Sequence, residues 1–304
     1  MYEVVVAINI GIFTILALSV NIITGYIGQP TLGHAAFFGI GAYASAILTG
    51  KYGVPFLLSL PLSGLIAGFI GALLGLASLR VRDDFLAITT IGTNFVVVAI
   101  FQYVPFFGAS FGLSVSPAFI FGMKITYVGY LFLTIFLITL TVLFLRKLEK
   151  SWFGLAMGGI RNNEGAAGSI GIDIKKFKVV AFILGTAIAG IAGCIYAHYM
   201  TFISSVDFAF ATSITILSMA MVGGSGTIRG PIMGAIVLGL APEVFRFAMN
   251  YRMLIYGALL IFTMRFQPEG LLGERSLLWT NINKLFKKTY SNKETESGIK
   301  NDNS

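Results

Sequence analysis

Few residues of this chain carry the side chains that catalysis or metal binding requires. The sequence of 304 residues holds two histidines, His34 and His198, and one cysteine, Cys194. Two isolated histidines do not make a zinc site, and one cysteine allows neither an intrachain disulfide nor a cysteine metal cluster. No paired acids, H-E-x-x-H motif or Ser/His arrangement is present. The sequence therefore predicts no catalytic residue, no cofactor and no metal ligand.

The two histidines have different predicted roles. His34 stands at the start of a helix rich in small residues, so we expect it to contact a solute or a neighbouring helix. His198 lies between Tyr196 and Tyr199 at the end of an apolar run, a position typical of an anchor at the lipid headgroups. A packing or interface role is favoured over a catalytic one for both.

The connector 151–178 contains the most specific local pattern. Asn163 can cap a short helix, Glu164 is favourable in its first turn, and Gly171 can end it. We therefore predict a compact helix over residues 164–170, outside any membrane. Its small residues, Ala167 among them, would form a flat surface that a partner protein grips. An ordinary connector is the alternative.

A second pattern lies near the start of the chain. Gly25, Gly28 and Gly33 surround Gln29 and Pro30, which predicts a broken helix whose freed backbone groups meet a polar solute. Tight helix packing is the alternative explanation for the glycines. The residues of this possible translocation pathway are Gly25, Gly28, Gln29, Gly33 and His34.

The elements that must position these residues are apolar helices. Hydrophobic residues make up 56% of the chain and charged residues 11%, whereas a soluble domain carries about a quarter charged residues. The composition predicts an all-α polytopic membrane protein with about nine transmembrane helices, within a range of about eight to ten, some short or broken. The predicted spans are Val4–Ile23, Leu32–Leu48, Pro55–Leu79, Phe85–Tyr103, Tyr127–Leu145, Val179–Tyr199, Ala209–Val222, Gly230–Phe245 and Met253–Met264.

The distribution of charge predicts the orientation. The net charge is +8, and the basic residues cluster in 146–178 and in the tail, as in cytoplasmic loops rather than in a nucleic-acid-binding surface. This places 146–178 inside, 104–126 outside and the N-terminus outside. The first span is expected to be retained, since no basic segment or cleavage site precedes it. We divide the chain into a permease domain, 1–273, and a polar, partly disordered cytoplasmic tail, 274–304.

Apart from Glu243 near the end of the span Gly230–Phe245, the predicted spans contain no acid, lysine or arginine that could form a proton or ion relay. Lys51 is the only formal charge between Val4 and Leu79, and Lys124 the only one between Phe85 and Leu145, both in loops. Proton- or ion-coupled transporters usually keep acids or bases at mid-membrane. Uphill transport would therefore take its energy from another chain. A passive channel or a membrane scaffold is the alternative.

Several long stretches resemble one known family. They are GYIGQPTLGHAAFFGIGAYASA at 25–46, RNNEGAAGSIGI at 161–172, AGIAGCIYAHYMTFISSVDF at 189–208, GGSGTIRGPIMGA at 223–235 and FQPEGLLG at 266–273. In this order they resemble the branched-chain amino-acid ABC transporter permeases, the LivM-like member more than the LivH-like one. Glu164 is followed by Gly165 rather than alanine, so the general importer motif is present only in a looser form.

The resemblance implies a set of partners. Such permeases work in pairs in the inner or plasma membrane of bacteria, with two cytoplasmic ATP-binding subunits and an external solute-binding protein. They import leucine, isoleucine, valine or related small solutes; urea, short amides or a sugar are the alternatives within the same architecture. This chain has no G-x-x-x-x-G-K-[ST] motif, so ATP hydrolysis is expected in other subunits. The resemblance assigns an ATPase-coupling loop to Arg161, Asn163, Glu164, Ala166, Ala167 and Gly171.

Overall fold

A computed structural model describes residues 2–79, 83–120 and 123–244, with isolated positions at 254, 257, 258, 261 and 265. These residues form helices joined by short turns. The helices are α1 (Tyr2–Asn21), followed by one π-helical turn (Ile22–Tyr26), α2 (His34–Gly50), α3 (Phe56–Ser78), α4 (Asp83–Tyr103), α5 (Tyr127–Glu149), α6 (Trp152–Asn162), α7 (Glu164–Ser169), α8 (Ile174–Met200), α9 (Phe210–Gly223) and α10 (Arg229–Val244).

Short 3₁₀ turns and two-residue strands complete one end of the molecule. The 3₁₀ turns are Pro105–Phe107, Ala109–Phe111 and Ser205–Phe208, and the strands are β1 (Leu113–Ser114), β2 (Phe119–Ile120), β3 (Met123–Lys124) and β4 (Phe202–Ile203). Strand β1 pairs antiparallel with β4, and β2 pairs antiparallel with β3.

The prediction of an all-helical, polytopic membrane protein is confirmed. Among the described residues, six helical segments are long and apolar enough to cross a bilayer: Tyr2–Tyr26, Phe56–Ser78, Phe85–Tyr103, Tyr127–Glu149, Ile174–Met200 and Ser205–Gly223. Helices α2 and α10 are shorter, with 17 and 16 residues. Apart from isolated positions, the predicted span Met253–Met264 lies outside the described residues, as does the tail 274–304, so the count of about nine stays a prediction.

Helix α2 lies inside the bundle, packed against α8 and α3. Glycines allow the backbones to approach: a Cβ on Gly41 would overlap the backbone of Gly190, and a Cβ on Gly193 would overlap Phe38. Along α3, a Cβ on Gly71 would overlap Thr186 of α8. Close packing of this kind replaces the hydrophobic effect as the force that joins helices in lipid.

The outer helices α4 and α5 present large apolar side chains to their surroundings. On α5 the exposed face consists of Phe132, Ile135, Phe136, Leu140 and Leu143. Exposure of such a face to water is unfavourable, whereas its contact with the hydrocarbon core of a bilayer is favourable. The described part of the chain is therefore shaped for contact with membrane lipid.

The predicted external and cytoplasmic loops lie at opposite ends of α8. This helix has 27 residues, a length of about 40 Å. Its C-terminal end leads into β4, which pairs with β1 of the loop predicted to be external. Its N-terminal end follows α6 and α7, within the loop predicted to be cytoplasmic.

The prediction that His198 anchors the chain at the headgroups is wrong. The side chain is 1% exposed. Its Nε2 lies 2.9 Å from Ser45 Oγ, and its Nδ1 lies 2.9 Å from the carbonyl oxygen of Ser116. His198, on α8, instead joins α2 to the loop that contains Ser116.

Candidate functional site

The first helix is broken where the glycine pattern predicted it. Helix α1 ends at Asn21, one π-helical turn follows, and the chain is non-helical from Ile27 to Gly33 before α2 begins. Gly28 has a φ of +79°, a conformation that glycine adopts without strain. The Gln29 N–H donates to the Ile23 carbonyl oxygen at 3.0 Å, which closes the turn.

A second interruption separates α9 from α10. Gly224 and Gly226 have φ values of +122° and +85°. Thr227 Oγ donates to the Gly224 carbonyl oxygen at 3.1 Å and accepts from the Gly230 N–H at 3.1 Å, so the hydroxyl holds both ends of the loop. The sequence indicated only that Gly and Thr interrupt both stretches, a weak sign of two related halves.

Asn21 joins the two interruptions. Its Nδ2 donates to the Thr227 carbonyl oxygen at 2.9 Å, and its Oδ1 accepts from the Gly226 N–H at 2.8 Å. The residue is fully buried. Gly25 is small because this contact requires it, since a Cβ there would overlap both Asn21 Oδ1 and the Gly226 nitrogen. Sequence analysis missed Asn21, which no local pattern distinguishes from an ordinary helix residue.

Arg161 reaches the same junction from α6. A Cβ on Gly28 would lie 3.2 Å from Arg161 Cγ, and a Cβ on Gly226 would overlap Arg161 Nη1. A Cβ at Gly226 would displace the guanidinium, whereas a Cβ at Gly28 would make a tight contact with the arginine side chain. The structure therefore places Arg161, a residue of the predicted coupling loop, against both helix interruptions, the one between α1 and α2 and the one between α9 and α10.

The predicted compact helix is present as α7. Asn163 Oδ1 accepts from the Ala166 N–H at 3.0 Å, and Gly171 follows the helix with a φ of +89°. Glu164 Oε1 lies 2.6 Å from Lys178 Nζ of α8, and Lys178 is 7% exposed. This ion pair fastens α7 to the start of α8.

The expectation that Ala167 faces a partner is wrong. Its side chain is 4% exposed and packs with Met157, Ile160 and Phe177 of this chain. The outward residues of α7 are instead small ones, among them Ala166, and Ile170 just beyond the helix is 79% exposed.

Helix α6 was missed by sequence analysis, which treated it as part of a polar connector. Ser151 caps it by accepting from the Gly154 N–H at 3.3 Å. Ala156, Met157 and Ile160 are buried on one side, at the spacing of an amphipathic helix. The signal was available in Ser151 and in this spacing.

Helix α2 begins among polar groups from α1, α4 and α9. His34 Nε2 lies 2.7 Å from Ser19 Oγ, and the Ala35 N–H donates to Ser213 Oγ at 2.9 Å. The Leu32 N–H donates to Thr90 Oγ1 at 3.0 Å, and a Cβ on Gly33 would overlap the Thr90 carbonyl oxygen.

The predicted pathway residues thus fall into two groups. Gly25 and Gly28 lie at the junction with Arg161, whereas Gly33 and His34 lie at the start of α2. Gln29, which is 1% exposed, lies in the segment between them.

Comparison with known proteins identifies related sequences. A family model described as the permease component of branched-chain amino acid transport systems matches residues 4–264. The chain is 32% identical over 287 residues to the high-affinity branched-chain amino acid transport permease LivM of Escherichia coli K12, covering 86% of this chain and 68% of that protein. No solved structure shows a significant match.

More distant relatives extend the same comparison. The probable LivM permease of Methanocaldococcus jannaschii is 24% identical over 88% of this chain and 92% of its own length. The LivH permease of Escherichia coli K12 is 21% identical over 86% of this chain and 91% of its own length.

Proposed function

Because the chain belongs to the family of branched-chain amino acid transport permeases, we propose that it is the membrane subunit of an ATP-driven importer. Its cargo is leucine, isoleucine and valine or closely related solutes. It acts as a multi-pass protein of the inner membrane, and residues 1–273 form the permease domain, followed by the polar tail 274–304. Hydrolysis of ATP takes place in other subunits.

The translocation pathway passes the first interruption. Gly25, Gly28, Gln29, Gly33 and His34 border a stretch of non-helical backbone. Irregular backbone at membrane depth is tolerated where it is enclosed by protein or lines a polar cavity. The second interruption lies beside it, and Asn21 connects the two.

The contact of Arg161 with both interruptions is the observation that carries the proposal. Arg161 lies in the last turn of α6, and α6 and α7 lie at the end of the bundle predicted to be cytoplasmic. A partner that moves this pair of helices would move the Arg161 side chain against Gly28 and Gly226. In the proposed coupling loop, Asn163 caps the N-terminus of α7 and Gly171 follows its C-terminus. Glu164 pairs with Lys178 of α8. The Ala167 side chain packs against the rest of this chain, and the exposed Ala166 faces the partner.

The remaining partners follow from the family. We propose that this chain pairs with a second, homologous permease, that two ATP-binding subunits dock on α7, and that an external binding protein delivers the solute. Both LivM and LivH permeases of Escherichia coli are similar to this chain, which favours a pair of unlike permeases over two copies of one.

Reconstitution tests the energy source. We would place the full complex in vesicles with the binding protein outside and ATP inside, and measure leucine uptake with ionophores that abolish ion gradients. Uptake that continues with ATP and without gradients is expected. Uptake that stops with the gradients and ignores ATP would refute the importer, and uptake without either would indicate a passive channel.

A substitution on α7 tests the coupling surface. Ala166→Arg places a long charged side chain on the exposed face of α7, and we expect it to abolish leucine-stimulated ATP hydrolysis while the chain stays inserted. The matched control is Ala166→Ser, which stays small and should keep wild-type coupling. Wild-type hydrolysis and copurification of the ATPase in Ala166→Arg would show that α7 is only a connector.

A further inference from the structure

The start of α2 holds a histidine nitrogen whose role as a hydrogen-bond acceptor can be assigned. The Ser19 hydroxyl donates to the Leu16 carbonyl oxygen at 2.7 Å, so its oxygen accepts from His34 Nε2, which lies 2.7 Å away. In a neutral imidazole protonated at Nε2, Nδ1 has a free lone pair and accepts. His34 is 1% exposed, and its Nδ1 has no hydrogen-bond partner in the described structure.

Asn94 of α4 presents a second acceptor of the same kind. Its Nδ2 donates to the Phe208 carbonyl oxygen at 3.2 Å, which leaves Oδ1 as the acceptor. Asn94 is fully buried, and within the part of the chain that is described its Oδ1 meets no donor. Thr90, one turn earlier on α4, accepts from the Leu32 N–H. The face of α4 that carries Asn94 therefore lies beside the first turn of α2.

A hydroxyl group with the same status comes from the segment before α2. Thr31 lies shortly before His34, the first residue of α2. Its side chain is buried, and its hydroxyl oxygen has no partner among the described residues. A hydroxyl can donate, and the N-terminus of a helix carries partial positive charge.

Buried polar atoms without partners are costly, and lipid offers no water to satisfy them. Three of them, on Thr31, His34 and Asn94, come from the segment before α2, from its first turn and from the adjacent face of α4. The acceptors are a ring nitrogen and an amide oxygen, the donor is a hydroxyl, and none of these side chains is an acid, lysine or arginine. Such a set suits a solute that is polar at one end and carries no net charge.

We propose that the first turn of α2 is a recognition site for the zwitterionic end of an amino acid. His34 Nδ1 and Asn94 Oδ1 accept hydrogen bonds from the α-ammonium group. The Thr31 hydroxyl, with the positive end of α2, binds the α-carboxylate. The inference rests on the proposed function and adds to it the groups that distinguish an amino acid from a neutral solute such as urea or a sugar.

Nitrogen NMR tests the site directly, because the chain has only two histidines. Vesicles would contain the complete complex with ¹⁵N-labelled histidine, and the difference from His34→Gln isolates the ring nitrogens of His34. We expect the Nδ1 resonance to shift when L-leucine is added, and to stay in place with 4-methyl-2-hydroxypentanoate, which lacks the ammonium group. The matched control is His198, whose two nitrogens already have partners and should not respond.

Two substitutions separate the ammonium contact from the packing of the ring. In His34→Gln the amide can reach Ser19 but the acceptor at Nδ1 is lost, whereas in His34→Asn an acceptor remains near the Nδ1 position. We expect the KM for leucine uptake to rise about tenfold or more in His34→Gln and less in His34→Asn. Thr139→Ala, on the lipid-facing side of α5, should keep the wild-type KM.

The outcomes separate this inference from the proposed function. Leucine uptake by the wild-type complex with an unmoved Nδ1 resonance and an unchanged KM in His34→Gln would overturn the recognition site alone. ATP-driven uptake of urea or a sugar, with no uptake of leucine, would overturn the proposed cargo and this site with it. Equal loss in His34→Gln and His34→Asn would show that the ring serves only packing.

Discussion

Asn21→Ala should release the contact between the two membrane interruptions. The substitution removes two hydrogen bonds, of 2.9 Å to the Thr227 carbonyl oxygen and 2.8 Å to Gly226 N–H. A buried group left without its partner costs about 1–3 kcal/mol. Both loop groups are only partly buried. We therefore expect each to cost about 1–2 kcal/mol, the lower part of this range, and the two together about 2–4 kcal/mol.

This loss of free energy should raise the population of the state in which the loop between α9 and α10 is detached from residue 21. At about 1.4 kcal/mol for each factor of ten, 2–4 kcal/mol corresponds to about 30- to 1,000-fold more of the detached state. Ser225→Cys, in the same loop, reports detachment through its rate of labelling by a membrane-permeant maleimide. The native Cys194 is fully buried and should not compete.

The expected result is labelling of Ser225→Cys that is about 30-fold faster or more in the Asn21→Ala background. Thr139→Ala is the control, because the Thr139 hydroxyl donates only to the Ile135 carbonyl oxygen of its own helix at 2.9 Å. A labelling rate within about twofold of the parent would refute the reasoning, since a free-energy change that small is below about 0.5 kcal/mol.

Two further predictions, each with a matched comparison variant, test the packing of the fold. Gly33→Ala should destabilise the solubilised complex, because the added Cβ would overlap the Thr90 backbone. Gly92→Ala should be neutral or stabilising by about 1 kcal/mol, because a Cβ there would meet no other atom. Thermal unfolding followed by size-exclusion chromatography compares the two variants, and equal unfolding midpoints would contradict the prediction. Glu164→Gln should loosen α7 and speed proteolysis of the 163–171 segment up to about tenfold, from a loss of about 1–1.5 kcal/mol, because the Glu164 side chain is 38% exposed. Glu164→Gln combined with Lys178→Met should recover part of this protection.

Local patterns predicted what depends on local physics. Long apolar runs give the spans, and the sequence Asn163-Glu164 followed by Gly171 gives α7 with its cap and its end. The break between Gly25 and Gly33 was predictable for the same reason, since three glycines and a proline within nine residues disfavour a continuous helix. These features require no knowledge of the neighbouring helices.

The rest depends on contacts between distant parts of the chain. Asn21 and Thr227 are 206 positions apart, and Asn21 resembles any polar residue at a helix end. In a uniformly apolar span, hydropathy does not tell which face is buried, so the enclosure of α2 and of His198 could not be predicted. For the same reason Ala167 was expected to face outward, although the six-residue α7 buries that side chain.

Helix α8 connects contacts at the two ends of the described helical bundle. At its C-terminal end, the His198 carbonyl oxygen accepts from the Tyr130 hydroxyl at 3.1 Å, and the His198 ring contacts the carbonyl oxygen of Ser116. At its N-terminal end, Lys178 pairs with Glu164 of α7. The helix between them is continuous over 27 residues. A helix of this length spans about 40 Å. A displacement of the loop at Ser116 and a displacement of α7 would therefore both be transmitted along the same helix.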